Sequence, residues 1–183
     1  MIECLIFCGL PGAGKSSTIK NFRQKYNAVI VSRDSLREMV AGSYDVYQEN
    51  VFAPDKVGTP DARIMESLVL RMAEATVMAA IEAGMNIIID ETNISKKMRR
   101  HWVDVCVAAH DYYSSEQLKF TCVWIKCSPQ SCIKRRLKDS HGCKADWPKV
   151  ISYMAKYWTD PLKEDFDELI IIDNEEDKKE GPQ

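Results

Sequence analysis

The sequence predicts a single α/β domain: a five-stranded parallel sheet flanked by helices, with a helical lid. Two observations support this fold class. Five short apolar runs alternate with stretches of helix-forming residues, and no two runs are joined by a hairpin turn. This alternation is typical of a parallel sheet covered by helices on both faces, in which ligands bind at the carboxyl ends of the strands.

The strands are predicted where β-branched and aromatic residues form short buried runs. These runs are residues 2–8, 28–32, 86–90, 118–126 and 169–172. Helices are predicted between them from helix formers and capping residues, with Ser95, Ser128 and Asp146 at amino-terminal ends. Their ranges are 15–25, 35–41, 61–83 and 96–109, followed by helices that open at Pro129 and Trp147. Residues 42–60 mix Gly, Pro, Tyr and Asp and are predicted to form a loop.

Charge distribution and hydrophobicity limit the kinds of protein that this sequence can encode. The formal charge of −2 divides unevenly, because residues 160–183 carry ten acidic and three basic residues and the remainder is net basic. We assign the domain to residues 1–173, with a lid at about 128–146, and expect residues 174–183 to be a disordered acidic tail. A basic body permits a polyanionic partner without requiring one. No apolar stretch approaches the length of a membrane span, and the amino terminus does not resemble a signal peptide.

Seven scattered cysteines are typical of small buried residues in a reducing compartment. A zinc site formed by Cys127, Cys132, His141 and Cys143 is the less favoured alternative, because the paired CxxC spacing is absent.

The strongest motif is GLPGAGKS at residues 9–16, which satisfies G-x-x-x-x-G-K-[ST] between a predicted strand and a predicted helix. Its backbone N–H groups and helix terminus suit phosphate, so ATP and Mg²⁺ are the predicted cofactors. Lys15 is expected to reach the β- and γ-phosphates as a catalytic residue, and the Ser16 hydroxyl to bind Mg²⁺. The predicted ATP-binding residues are Gly9, Pro11, Gly12, Ala13, Gly14, Lys15, Ser16 and Ser17.

The chain lacks the N-K-x-D motif of GTPases, a D-x-x-G switch directly after a predicted strand, and the L-S-G-G-Q signature of transporter ATPases. A small phosphotransferase is the remaining P-loop class.

The second motif is SRDSLR at residues 32–37, just beyond the second strand. A carboxylate there faces the γ-phosphate across the cleft, so Asp34 is predicted to be the catalytic base for an acceptor hydroxyl. Asp34 also suits a helix N-cap, which is the structural alternative. Arg37 lies one turn later on the same face and is predicted to bind an acceptor phosphate.

The third motif is IIIDETN at residues 87–93, an apolar strand that ends in an acid, as in the Walker-B arrangement. Asp90 is predicted to orient Mg²⁺, and Glu91 competes for that role. Thr92 and Asn93 are predicted to contact phosphate or acceptor. A capped strand-to-helix turn is the alternative.

The fourth motif is the basic stretch CIKRRLK at residues 132–138, which follows the fourth strand. Arginines on a lid neutralise charge during phosphoryl transfer and exclude water. A second basic cluster, residues 95–101, is interpreted as a solvated helix face.

With these four motifs in order, residues 2–172 resemble the kinase domain of phage polynucleotide 5′-hydroxyl kinase and related P-loop kinases. The family pattern is a P-loop, then R-D-x-x-R, then an acid-containing D-x-T-N or D-T-N turn, then an arginine-bearing lid.

The resemblance implies an ATP-dependent kinase acting on a hydroxyl of a nucleic acid, DNA or RNA, and in particular the 5′-OH of an oligonucleotide. It implies that Asp34 is the base, that Arg37 binds the acceptor backbone and that Arg135 stabilises the transferring phosphoryl group. Related kinases act on hydroxymethylated bases, nucleosides or metabolites, so these acceptors remain alternatives. A non-catalytic ATP-binding module is the third hypothesis. The expected location is the cytoplasm, or the host cytoplasm if the protein is phage-encoded.

The chain departs from the family pattern in its lid, where Asp139 occupies the position of a further arginine. Arg136, predicted to bind substrate, and Lys138 are the alternatives for that function. Either Asp90 or Glu91 aligns with the family acid. No D-x-D-x-T motif occurs, so no phosphatase activity is expected.

Overall fold

The computed structural model describes residues 1–53, 55–139 and 145–175 of the 183-residue chain. Five parallel strands form one sheet in the order β2-β3-β1-β4-β5. The strands are β1 (Ile2–Cys8), β2 (Ala28–Val31), β3 (Asn86–Ile89), β4 (Leu118–Lys126) and β5 (Glu168–Asp173). The predicted fold class is confirmed, and each strand lies within one residue of its predicted bounds.

Seven α-helices accompany the sheet in the described part of the chain. They are α1 (Lys15–Tyr26), α2 (Arg33–Ala41), α3 (Tyr44–Tyr47), α4 (Pro60–Glu82), α5 (Lys96–Tyr113), α6 (Pro129–Lys138) and α7 (Trp147–Lys156). A 3₁₀ turn (Lys163–Asp165) precedes β5. The side chains of Ser95, Ser128 and Asp146 accept backbone N–H bonds at the starts of α5, α6 and α7, as their residue types predict.

The core lies on both faces of the sheet because side chains of a strand alternate between faces. Ile2, Cys4 and Ile6 of β1 are fully buried with α4 and α5 on one face, and Leu5 and Phe7 are fully buried on the opposite face with α1 and α7. Full burial of a side chain of this size contributes about 1.5–3 kcal/mol. β1 is therefore anchored on both faces, directly before the loop that follows it.

Residues 42–60 contain more regular structure than the predicted loop. Ser43 caps the short helix α3 by accepting the N–H of Val46, and a π-helical turn (Gln48–Phe52) follows directly. Tyr47 and Val51 are buried in a third apolar cluster with residues of α2 and α4. The prediction was wrong here because local turn signals gave no indication of this long-range packing.

Two residues of the predicted tail make defined contacts. The Asn174 amide donates to the Ala13 carbonyl at 2.7 Å, and Glu175 accepts the N–H of Ser128 at 2.6 Å. The rest of the tail and residues 140–144 of the lid, including His141 and Cys143, lie outside the described residues. No helix in the described ranges is both long enough and apolar enough to cross a membrane.

Candidate functional site

A cleft of about 1160 Å³ lies at the carboxyl ends of β1, β2 and β3. Residues from α2, α3, the π-helical turn and α7 also line it. The predicted site residues that line it are Pro11, Lys15, Ser16, Asp34, Arg37, Asp90, Thr92 and Arg136. The predicted site residues Gly9, Gly12, Ala13, Gly14, Ser17, Asn93 and Arg135 do not line it.

The phosphate loop depends on glycine at two of its positions. Gly12 (φ 85°) and Gly14 (φ 101°) have left-handed backbone conformations that side chains rarely adopt. A Cβ on Gly12 would lie 2.8 Å from the Cys132 carbonyl oxygen, and one on Gly14 would lie 2.3 Å from Asn174 Nδ2. The loop is thus packed directly against α6 and the end of β5.

Lys15 begins α1 and lies across the phosphate loop. Its ammonium group donates to the carbonyl oxygens of Gly9 at 2.8 Å and Leu10 at 3.2 Å. Burial lowers its pKa, the Asp90 carboxylate opposes that shift, and the Arg136 guanidinium adds to it. Two cationic groups therefore face the same region at the loop, which favours an anionic ligand.

Asp34 lies in the first turn of α2, and its side chain is 68% exposed at the edge of the cleft. The N-cap of this helix is Ser32, so the alternative assignment of Asp34 as the cap does not match the structure. Arg37 donates to Asp34 Oδ1 at 2.7 Å. The rest of the Arg37 guanidinium is held by Glu66 of α4, with N–O distances of 2.9 and 2.8 Å.

The two acids after β3 have different surroundings. Glu91 is buried and pairs with Arg33 through two hydrogen bonds, of which Nη2–Oε2 measures 2.7 Å. Both acids line the cleft; burial raises the pKa of Asp90, although the nearby Lys15 opposes the shift. Glu91 thus joins β3 to the start of α2, and Asp90 is the carboxylate presented beside Lys15.

The residues present fit Mg²⁺ by the chemistry of their donor atoms. Ser16 offers a hydroxyl and Asp90 a carboxylate to the cleft, and both are the hard oxygen donors that Mg²⁺ prefers. Within the described ranges no three His, Cys, Asp or Glu side chains are grouped to hold a metal. A nucleotide-bound Mg²⁺ needs no such group, because phosphates and water complete its shell.

Thr92 and Asn93 have separate positions. Thr92 lines the cleft, and its carbonyl accepts the N–H of Gly9 at 3.0 Å. Asn93 has a left-handed conformation (φ 44°) and is fully buried, where its amide donates to the Phe7 carbonyl at 2.8 Å. Its side chain joins the ends of β1 and β3 and does not line the cleft.

The two lid arginines point in different directions. Arg135 donates to the carbonyls of Asn174 at 2.7 Å and Gly12 at 3.3 Å, and so supports the phosphate loop from outside the cleft. Arg136 lines the cleft with its guanidinium 4.6 Å from the centroid of the Trp147 ring. Arg136 Nε and Trp147 Nε1 are buried and make no hydrogen bond within the described structure. Of the two arginines of the predicted lid, Arg136 and not Arg135 therefore faces the cleft.

Sequence reasoning missed Trp147, Glu66 and Asn174 as parts of this site. Asn174 follows the carboxyl end of β5, so the strand-end rule that selected Asp34 and Asp90 could have found it. Trp147 was noted only as a helix start, and Glu66 lies within a long helix where no sequence signal distinguishes it.

Comparison with known proteins places this site in a family. The family model described as an AAA domain matches residues 5–140. No curated protein matches the chain significantly in sequence.

Solved structures of similar fold cover most of the chain. One is a protein from Chloroflexus aurantiacus, with a TM-score of 0.64 and 14% identity over 94% of this chain and 85% of that one. Another is the Mycobacterium tuberculosis APS kinase CysC in complex with AMPPNP and APS, with a TM-score of 0.53 and 18% identity over 94% and 89%. A third is a chain of the Pnkp1/Rnl/Hen1 RNA repair complex, with a TM-score of 0.56 and 23% identity over 86% and 46%. The present chain thus spans less than half the length of that third chain.

The family match takes in the phosphate loop, Asp34, Asp90 and both lid arginines, and the similar structures share the arrangement of the sheet and its helices. The chain therefore belongs to the AAA domain family and has a P-loop kinase-like fold.

Proposed function

We propose that this protein is an ATP-dependent kinase that transfers the γ-phosphoryl group to a hydroxyl of its acceptor. The observation that carries the proposal is the convergence of Lys15, Asp34, Asp90 and Arg136 on one cleft from four separate segments of the chain. These residue types supply the phosphate contact, base, metal ligand and charge stabilisation that phosphoryl transfer requires.

Asp34 accepts the proton of the acceptor hydroxyl while the hydroxyl oxygen forms a bond to the γ-phosphorus. The bond between that phosphorus and the β–γ bridging oxygen breaks, and ADP leaves. Lys15 binds the β- and γ-phosphates, and Arg136 faces the equatorial oxygens, where negative charge is spread. Ser16 and Asp90 would hold Mg²⁺, which neutralises phosphate charge when bound.

The 5′-OH of an oligonucleotide is the first acceptor candidate. The placement of R-D-x-x-R after β2 supports it, as does the similarity to a chain of an RNA repair complex. Its weakness lies at Arg37, the residue predicted to bind acceptor phosphate. Glu66 and Asp34 already engage all three guanidinium nitrogens of Arg37.

A small hydroxyl compound is the second candidate, and this engagement of Arg37 favours it. An acceptor without a phosphate does not compete with Glu66 for the guanidinium. Nucleosides and unphosphorylated metabolites belong to this class, whereas a hydroxymethylated base in DNA is a separate alternative whose strand carries phosphates.

The test offers Mg²⁺, γ-labelled ATP and three acceptors separately: a 5′-OH oligonucleotide, a 5′-phosphorylated oligonucleotide containing hydroxymethyluracil, and a pool of nucleosides and metabolites. Label on any acceptor supports the kinase. Label on the first acceptor alone identifies a polynucleotide 5′-kinase. Label only on the second or third acceptor excludes the 5′-OH of an oligonucleotide as the acceptor. ATP hydrolysis without any labelled acceptor contradicts the proposal and favours a regulatory ATPase.

Replacing Trp147 by leucine is expected to slow transfer about 3- to 30-fold, because a cation–π contact worth about 0.5–2 kcal/mol no longer orients Arg136. Trp158→Leu is the matched control, since Trp158 packs on Trp124 and does not line the cleft. Equal rates for the two variants, with melting temperatures measured for both, would show that Trp147 does not position the arginine.

A further inference from the structure

Glu66 of α4 lies at the centre of a hydrogen-bonded cluster beside the cleft. Its carboxylate accepts from Arg37 Nε at 2.9 Å and Nη2 at 2.8 Å, which is the bidentate geometry of strong arginine–carboxylate pairs. The Tyr47 hydroxyl donates to the same carboxylate at 2.8 Å. The remaining guanidinium nitrogen, Nη1, donates to Asp34 at 2.7 Å. Four side chains from three helices are thus joined into one cluster.

Packing restricts the guanidinium from its faces as well as its edges. The Arg37 side chain is 13% exposed, and its guanidinium carbon lies 5.3 Å from the ring centroid of Phe52 and 5.9 Å from that of Tyr47. Tyr47 is fully buried against α2 and α4. The short α3 and the π-helical turn, which carry these two rings, therefore help to fix the position of Arg37.

The charges agree with this geometry. Burial opposes ionisation of Glu66, but the hydrogen bonds and charge of Arg37 prevail and lower the pKa of the carboxyl group. Burial and the adjacent Glu66 raise the pKa of Tyr47, which keeps the phenol a hydrogen-bond donor. The cluster therefore holds one cation, two carboxylates and one neutral hydroxyl.

Among the described residues, the Asp34 carboxylate accepts one side-chain hydrogen bond, from Arg37. Its side chain is 68% exposed, and an exposed aspartate samples several rotamers unless a partner selects one. The bond from Arg37 is the side-chain partner that the structure gives it. The orientation of the proposed base therefore depends on Arg37, and the position of Arg37 depends on Glu66.

We propose that Glu66 is a positioning residue for the transfer reaction: it holds Arg37, assisted by Tyr47, so that Arg37 directs the Asp34 carboxylate toward the acceptor hydroxyl. This inference rests on the proposed function, because it takes Asp34 as the base. It assigns Arg37 to orientation of the base instead of capture of an acceptor phosphate.

The first test compares Glu66→Gln with Glu74→Gln. Glu74 lies on the same helix with nearly the same side-chain exposure, 30% against 31%, and pairs with His101 away from the cleft. Glu66→Gln is expected to lower kcat about 10- to 100-fold with KM for ATP and acceptor unchanged, because small misplacements of a catalytic group cost rates of this order. Tyr47→Phe is expected to give a smaller loss in the same direction, and Glu74→Gln none.

Two outcomes of this test would overturn the inference. One is a kcat for Glu66→Gln equal to that of Glu74→Gln. The other is a raised KM for a phosphate-bearing acceptor with kcat unchanged, which would show that Arg37 binds the acceptor.

A second measurement separates this inference from the proposed function, since it requires no acceptor. The Arg37 Nε–H signal in ¹⁵N-resolved NMR spectra, assigned with an Arg37→Lys variant, should be sharp and protected from exchange in the wild type. It should broaden or vanish in Glu66→Gln and persist in Glu74→Gln. A wild type that binds ATP and labels no acceptor refutes the kinase, whereas an Arg37 signal that is unchanged in Glu66→Gln refutes the cluster.

Discussion

Replacing Arg136 by alanine is expected to reduce phosphoryl transfer by about a thousandfold or more, the loss typical of removing an arginine that stabilises the transferring group. Arg136 lines the cleft beside the phosphate loop, and its buried Nε has no hydrogen-bond partner among the described residues. An anionic group brought into the cleft would satisfy that donor. The measurement is the single-turnover rate with γ-labelled ATP and whichever acceptor is labelled in the three-acceptor test.

Arg135→Ala is the matched control, because it removes an adjacent guanidinium from the same helix. Arg135 supports the phosphate loop through the carbonyls of Gly12 and Asn174. Its loss should therefore weaken ATP binding more than it lowers the rate of phosphoryl transfer in the ATP-bound enzyme. Titration calorimetry with ATP measures the first effect and single-turnover kinetics the second. A variant set in which Arg135→Ala abolishes turnover and Arg136→Ala does not would restore Arg135 to the catalytic role predicted from sequence.

Asp34→Asn is expected to lower the transfer rate about 10²- to 10⁴-fold, the usual contribution of a general base, and to leave ATP affinity unchanged. The asparagine keeps the size and the hydrogen bond from Arg37 but cannot accept the acceptor proton. The rate of label transfer and the dissociation constant for ATP are measured on the same preparation.

Asp45→Asn controls for the change in net charge, since Asp45 is another carboxylate lining the cleft. It should cost far less than Asp34→Asn. Undiminished transfer by Asp34→Asn, or equal losses in both variants, would remove Asp34 as the base.

The fold was predictable because its signals are local. Runs such as Ile87–Ile88–Ile89 are buried in the centre of the sheet wherever their helices pack, so composition alone predicts such strands. Ligands bind at the carboxyl ends of parallel strands, and this rule predicts from the sequence alone that Lys15, Asp34 and Asp90 lie together. All three line the cleft.

The remainder depends on contacts between distant parts of the chain. Adjacent residues of a helix point about 100° apart, so the choice between Arg135 and Arg136 depends on the rotation of α6, which a charge run does not specify. Arg99 was interpreted as part of a solvated face but is buried, where it donates to the Asn93 carbonyl at 2.9 Å. The role proposed for Glu66 depends on its hydrogen bond with Arg37, 29 positions away. Each of these residue roles depends on a contact with a residue elsewhere in the fold, which the hydrophobic periodicity of the sequence does not reveal.

The contacts between the end of β5 and the phosphate loop link two parts of the protein thermodynamically. Asn174 bonds to the Ala13 carbonyl, Arg135 bridges Asn174 to Gly12, and Glu175 bonds to Ser128 at the start of α6. Linkage is reciprocal, so a nucleotide that stabilises this conformation of the phosphate loop must also stabilise the contacts of Asn174 and Glu175 by the same free energy. The rate of protease cleavage at the Asp173–Asn174 peptide bond can be measured at increasing nucleotide concentration. The decrease in that rate would report nucleotide binding at the phosphate loop, which is distant from this bond in sequence.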